Sequence, residues 1–218
     1  MTSPDLLVGQ HLRKLNFDLM TSFEPICYLV NVPTVIAVNS ASPYRTLSDL
    51  LSAARAKPGE LTLASIGPGT AFQIAIESLK RAAKVDTTFI PYPGGAPVLN
   101  ASTMAEQLKA GKLRALATAS RTRIEPLPEV PTIAESGYKD YEMDYWYGVL
   151  ASARTPKNAI SQLADLFIAA LKAPEVKGKL VAQALYPVGI CGEDFAGLLR
   201  KQYDAYGRAI REANIKAQ

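Results

Sequence analysis

The chain reads as an α/β layer structure with mainly parallel strand pairing. Three observations lead there. From Leu61 to Thr118, short apolar or β-branched runs alternate with stretches whose apolar residues recur at helical spacing. Two glycine turns, Gly67-Pro68-Gly69-Thr70 and Tyr92-Pro93-Gly94-Gly95-Ala96, each stand between a strand and a helix. At 218 residues, 48% of them apolar and 20% charged, the chain can bury a core in one large domain or two small ones.

The elements follow in order. Ile26 to Val38 is apolar and β-branched, broken by Asn31 and Pro33, and predicts an extended segment through a core. Thr46-Leu47-Ser48-Asp49 has the form of a capping box. Leu47, Leu50, Leu51 and Ala54 then share one helix face, and Pro58-Gly59 stops it. Leu61 to Ser65 predicts a strand. After the first glycine turn, Phe72, Ala75, Ile76, Leu79 and Ala83 form the stripe of a helix over Ala71 to Ala83. Thr87 to Pro91 is a strand leading into the second turn, then a helical stretch to about Ala110, then a strand over Leu113 to Thr118.

Arg121 to Pro131 carries three prolines and reads as a structured surface loop. Glu142 to Ala151 is apolar and aromatic, with Tyr145, Trp146 and Tyr147 adjacent, so a strand there sends rings to both faces. Thr155-Pro156 places a capping residue before a first-turn proline, and Ile160, Leu163, Ala164, Phe167 and Leu171 point one way on the helix that follows. A second helix starts near Pro174. A short strand spans Tyr186 to Ile190, and a long amphipathic helix runs from Glu193.

The first glycine turn carries the chemistry. A strand, a glycine turn and a helix start leave several backbone N–H groups pointing the same way, and the helix dipole adds partial positive charge. Such a turn is an anion seat with no charged side chain in it, suited to a carboxylate or phosphate, or else an ordinary strand-to-helix turn. In α/β folds ligands gather where strand carboxyl ends meet helix starts, and both glycine turns hold that kind of position.

Other classes of function find little support. The net charge is +4, yet no basic run exceeds Lys80-Arg81, so no nucleic-acid footprint is visible. The single histidine, His11, lies in a polar N-terminal stretch, and no Gly-x-Ser-x-Gly elbow accompanies it, which leaves a hydrolase a distant third reading. Gly69 is followed by Thr70-Ala71 where a phosphate-binding loop would need lysine. No Cys/His cluster has metal-ligand spacing, and no cofactor is expected. Cys27 and Cys191 sit in apolar surroundings and read by default as buried free thiols, while an oxidising compartment would allow a disulfide. The N-terminus has no basic region followed by an apolar core, so no signal peptide is expected in this chain.

Taken together, the segments resemble the substrate-binding receptors of tripartite tricarboxylate transporters, the Bug-type family. The matching pieces are Lys57-Pro58-Gly59-Glu60-Leu61, Ser65 to Thr70, Pro91 to Pro97, Lys109 to Ala117, Leu127-Pro128-Glu129-Val130-Pro131-Thr132 with Glu135 and Gly137, Trp146-Tyr147-Gly148 and Thr155-Pro156. The resemblance implies a type II periplasmic binding-protein fold: two lobes with mainly parallel sheets and a hinge, closing over a small mono- or dicarboxylate that is passed to membrane transporter subunits. It implies a first lobe from residues 1–36 plus 146–218, a second from 37–145, and a periplasmic location. By the same resemblance the ligand-contacting residues are Ser65, Ile66, Gly67, Gly69, Thr70, Ala71 and Gln73 in the first turn, Tyr92, Gly94, Gly95 and Ala96 in the second, and Trp146 on the aromatic strand.

Two departures accompany it. The family's leading strand and Pro-Pro-Gly-Gly-type loop, the opposite jaw of the carboxylate clamp, have no counterpart here, so the chain is expected to start well inside the first lobe. After Pro97-Val98-Leu99 the family continues through a strand and a cleft loop, whereas Asn100-Ala101-Ser102-Thr103 runs almost directly into Met104 to Gly111. One central strand is then expected to be missing, and exposed edges invite self-association. The second reading is therefore a truncated relative that no longer binds ligand, or that persists by self-association.

Overall fold

A computed structural model describes residues 1–92 and 101–216. In chain order its elements are α1 (Pro4–Leu12), α2 (Leu19–Ser22), β1 (Phe23–Val32), β2 (Val35–Asn39), α3 (Leu47–Ala56), β3 (Thr62–Ile66), α4 (Ala71–Ala83), β4 (Thr88–Tyr92), α5 (Ala101–Lys109), β5 (Leu113–Thr118), β6 (Tyr145–Ser152), α6 (Lys157–Lys172), α7 (Pro174–Ala182), β7 (Tyr186–Cys191) and α8 (Glu193–Glu212). The chain forms two compact units. One comprises Met1–Val32, Gly69–Ala71 and Tyr145–Gln218; the other comprises Pro33–Pro68 and Phe72–Asp144.

In the first unit the sheet order is β6-β1-β7, and both pairings are antiparallel. Trp146, Phe195, Ile26, Leu199 and Tyr206 are buried and form its core. The Trp146 and Phe195 rings meet edge to face with centroids 5.5 Å apart. Phe195 can lie on the strand because residue 148 is glycine: a Cβ there would stand 2.8 Å from the Phe195 ring and 2.9 Å from the Cys27 carbonyl. Helix α8 turns Phe195, Leu199, Tyr206 and Ile210 inward, as its apolar stripe requires.

Cys27 stands directly opposite Cys191 in the β1–β7 ladder, with Cα atoms 4.0 Å apart, and the two sulfurs are bonded. The free-thiol reading is thereby corrected. The partners lie 164 residues apart, and only the antiparallel register brings them face to face.

Helix α1 is an addition to the elements read from the sequence. Leu7, Val8 and Leu12 bury its inner side, and Thr2 exchanges two backbone hydrogen bonds with Gly148 at 2.7 and 2.9 Å. His11 lies along α8, its Nε2 2.9 Å from the Tyr203 carbonyl oxygen and its ring against Tyr203. At the start of α6, Pro156 takes the N-cap position expected of Thr155, and no side chain caps the helix.

Among the described residues the second unit holds two separate two-stranded sheets, β2-β5 antiparallel and β3-β4 parallel. Mainly parallel pairing is thus corrected: β3-β4 is the single parallel pair among the described strands. The alternation of strand and helix is a local pattern, and it says nothing of which strands meet. Here β1 takes both partners from the C-terminal third, and β2 pairs with β5 across the intervening α3, β3, α4, β4 and α5.

Leu47, Leu50, Leu51, Leu79, Ala83, Leu116 and Ile133 form the core of the second unit. The capping box of α3 is complete: Thr46 Oγ1 accepts from the Asp49 N–H, and Asp49 Oδ2 accepts from the Thr46 N–H. The C-terminal end of α4 is held by Arg55, whose guanidinium donates to the Ala83 carbonyl at 3.1 and 3.3 Å. The proline loop is tied by Arg123, which donates to the Glu135 carboxylate and to the Pro128 carbonyl.

Candidate functional site

The first glycine turn leaves β3 at Ile66 and enters the 13-residue helix α4 at Ala71. In the second unit, parallel pairing sets Ser65 beside Pro91 and Ile66 beside Tyr92, and the Gly67 N–H then donates to the Tyr92 carbonyl at 3.0 Å. This register brings Ser65, Ile66, Gly67 and Tyr92 together. Ser65 is buried, Gln73 half-buried, and Tyr92, beside the turn, 38% exposed. Gly94, Gly95 and Ala96 of the second turn lie outside the described residues.

Gly69 has φ +71°, the left-handed conformation that glycine adopts without strain. It clusters with Thr70 and Ala71 in the first unit, where the side chains of Leu12 and Arg13 pass 3.5 and 3.8 Å from where its Cβ would be. The Ala71 N–H, at the start of α4, donates to Asp5 Oδ1 at 2.8 Å. The other carboxylate oxygen, Oδ2, accepts from the Tyr145 hydroxyl at 2.7 Å. Burial, and with it the Asp5 carboxylate, raises the Tyr145 pKa above its ordinary value against the opposing effect of Ser3, so the phenol keeps its proton and remains the donor.

The expectation of a seat without charged side chains is corrected by this arrangement. Asp5 reaches the helix end from 66 residues away, and the Arg13 guanidinium is beside Gly69. The sequence held no signal for Asp5: Ser3-Pro4-Asp5 is an ordinary helix start, where an acidic residue is explained by its own helix dipole.

Trp146 is also relocated. It is fully buried in the first unit, packed on Tyr28 and Phe195, and its indole N–H donates to Gln202 Oε1 at 2.8 Å. Strand alternation puts Tyr145 and Tyr147 on the opposite face, their rings 5.6 Å apart. The aromatic triple therefore contributes Tyr145 to the turn's surroundings and gives Trp146 to the core.

The Nε2 of His11 is 2.9 Å from a backbone carbonyl, a structural placement at a helix–helix contact. Among the described residues no group of three or more His, Cys, Asp or Glu is arranged to hold a metal ion, and no helix is long and apolar enough to cross a membrane.

Comparison with known proteins bears on this geometry. The family described as the tripartite tricarboxylate transporter family receptor (TctC) matches residues 2–215. A protein of a Pseudomonas species encoded in the tcbD-tcbE intergenic region is 31% identical over 209 residues, covering 89% of this chain and 62% of its own length. Protein BugT of Bordetella pertussis is 26% identical over 229 residues, covering 99% of this chain and 70% of its own. Among solved structures, a periplasmic transporter superposes with a TM-score of 0.87 at 31% identity, covering 99% of this chain and 77% of that one. The Rhodopseudomonas palustris protein Rpa4515 with adipate gives 0.86 at 27% identity, covering 100% and 78%. The chain thus spans under two thirds of the Pseudomonas relative and about three quarters of the solved ones.

Proposed function

Because the chain belongs to the tripartite tricarboxylate transporter receptor family, whose members are solute-binding receptors rather than enzymes, we propose that it captures a small organic carboxylate in the periplasm and presents it to membrane transporter subunits. The observation that carries the reading is the unit made by β3, the glycine turn and α4. Its first helical N–H is bonded to a carboxylate, that of Asp5, which is the chemistry such a turn provides. The solved relative bound to adipate supports a carboxylate as the ligand class. A disulfide between Cys27 and Cys191 suits an oxidising compartment. Capture proceeds by hinge closure, as in the two-lobed fold the resemblance implies.

Calorimetric titration with a panel of mono- and dicarboxylates tests this. Binding by at least one, weakened in Gly67→Ala, is the expected result. A Cβ at Gly67 would meet nothing within 4 Å, and its φ is not positive, so the substitution leaves the fold intact and obstructs only what approaches the turn. No binding by any acid to a folded sample refutes the proposal.

A second reading, a self-associating relative, is favoured by one observation. Helices α6 and α7 bury no residue fully, and Leu163, Leu166, Val181 and Val188 of the first unit are 38, 66, 39 and 41% exposed. Light scattering separates the two: a monomer that binds acid disposes of the second.

A further inference from the structure

The carboxylate on Ala71 belongs to the protein itself. Asp5 Oδ1 takes the first N–H of α4 at 2.8 Å, and Oδ2 takes the Tyr145 hydroxyl at 2.7 Å. Both oxygens are thereby oriented, yet a carboxylate offers about four lone-pair positions, so acceptor capacity is left over. The positive end of the α4 dipole is compensated from within. A ligand carboxylate brought beside Ala71 meets a like charge, whereas an N–H donor meets an oriented acceptor. On the Gly69 side of the same turn stands the Arg13 guanidinium, which forms no ion pair among the described residues.

We propose that Asp5 is a specificity-determining residue: it makes the turn select a ligand that carries one carboxylate and, at its other end, a nitrogen donor such as a carboxamide or an ammonium. This rests on the receptor reading above and narrows its ligand class. Asp5 does so by charge. Its bonds to Ala71 and Tyr145 keep that charge in place, and Arg13 offers the ligand's carboxylate a partner of opposite sign.

The test titrates the wild-type chain, Asp5→Asn and Tyr145→Phe with succinate, glutarate and adipate, each beside its half-amide. The amide and the carboxylate have nearly the same shape, so the ratio of their affinities isolates charge. The wild type is expected to prefer the half-amide. Asp5→Asn keeps an acceptor for the Ala71 N–H but removes the charge, and is expected to shift the ratio toward the diacid by about tenfold, the effect of one like charge at close range after solvent screening. Tyr145→Phe drops one bond and keeps the charge, so the half-amide preference remains.

A wild-type preference for the diacid, or a ratio unchanged in Asp5→Asn, overturns the inference while leaving the receptor reading standing. A preference lost equally in both variants shows packing rather than charge and overturns it too. Failure of the wild type and both variants to bind any diacid or half-amide overturns both the inference and the receptor reading.

Discussion

Replacing Cys27 and Cys191 by alanine together removes a cross-link that closes a loop of 164 residues. In the chain-entropy account the lost constraint on the unfolded state is about 5 kcal/mol for a loop of this length, near the upper end of what disulfides contribute. Both cysteines belong to the first unit, and so does Trp146, the single tryptophan of the chain. Tryptophan fluorescence therefore follows the first unit alone, while far-ultraviolet circular dichroism follows both. With a urea dependence of about 2 kcal/mol per molar, the fluorescence midpoint is expected to fall by roughly 2.5 M. The part of the dichroism transition that belongs to the second unit stays in place. An unchanged fluorescence midpoint, or two titratable thiols in the denatured but unreduced protein, refutes the cross-link and the β1–β7 register with it.

Two further outcomes follow from the packing and charges described. Gly148→Ala sets a Cβ 2.8 Å from the Phe195 ring and 2.9 Å from a backbone carbonyl that cannot swing away, so a loss of about 3 kcal/mol is expected, read as a lower fluorescence midpoint. In the second unit, the carboxyl of Asp49 is held below its ordinary pKa by N–H bonds from Arg45 and Thr46, and that of Glu135 by the Thr132 N–H and Arg123. A depressed folded-state pKa contributes stability that is present above the unfolded value and lost as pH falls through the folded one. From about the ordinary Glu value of 4.5 downward, the second unit should therefore lose stability, and Glu135→Gln should flatten that dependence; an equal acid response in the variant contradicts it.

Much of the second unit was legible because its signals are local. The Thr46–Asp49 capping box, the stripe of α4 and the short run of β5 depend on residues within a turn or two of one another, and each element stands where those residues place it. Helix α1 carries little local signal, because Leu6, Leu7, Val8 and Leu12 make only a brief stripe beside glycine and polar residues. Trp146 went to the core and Tyr145 toward the turn, a choice that strand alternation leaves open until a partner sheet fixes which face is inside.

The alternation of elements, the glycine turn that opens α4 and the ordered motifs of the family are short-range patterns and can be read from neighbouring residues. The mostly antiparallel pairing, the meeting of Cys27 with Cys191, and the bonds of Asp5 to Ala71 and Tyr145 arise from packing. Those contacts join residues 66, 140 and 164 positions apart. Their formation depends on how whole faces pack and on which register buries them, and no local window contains that information.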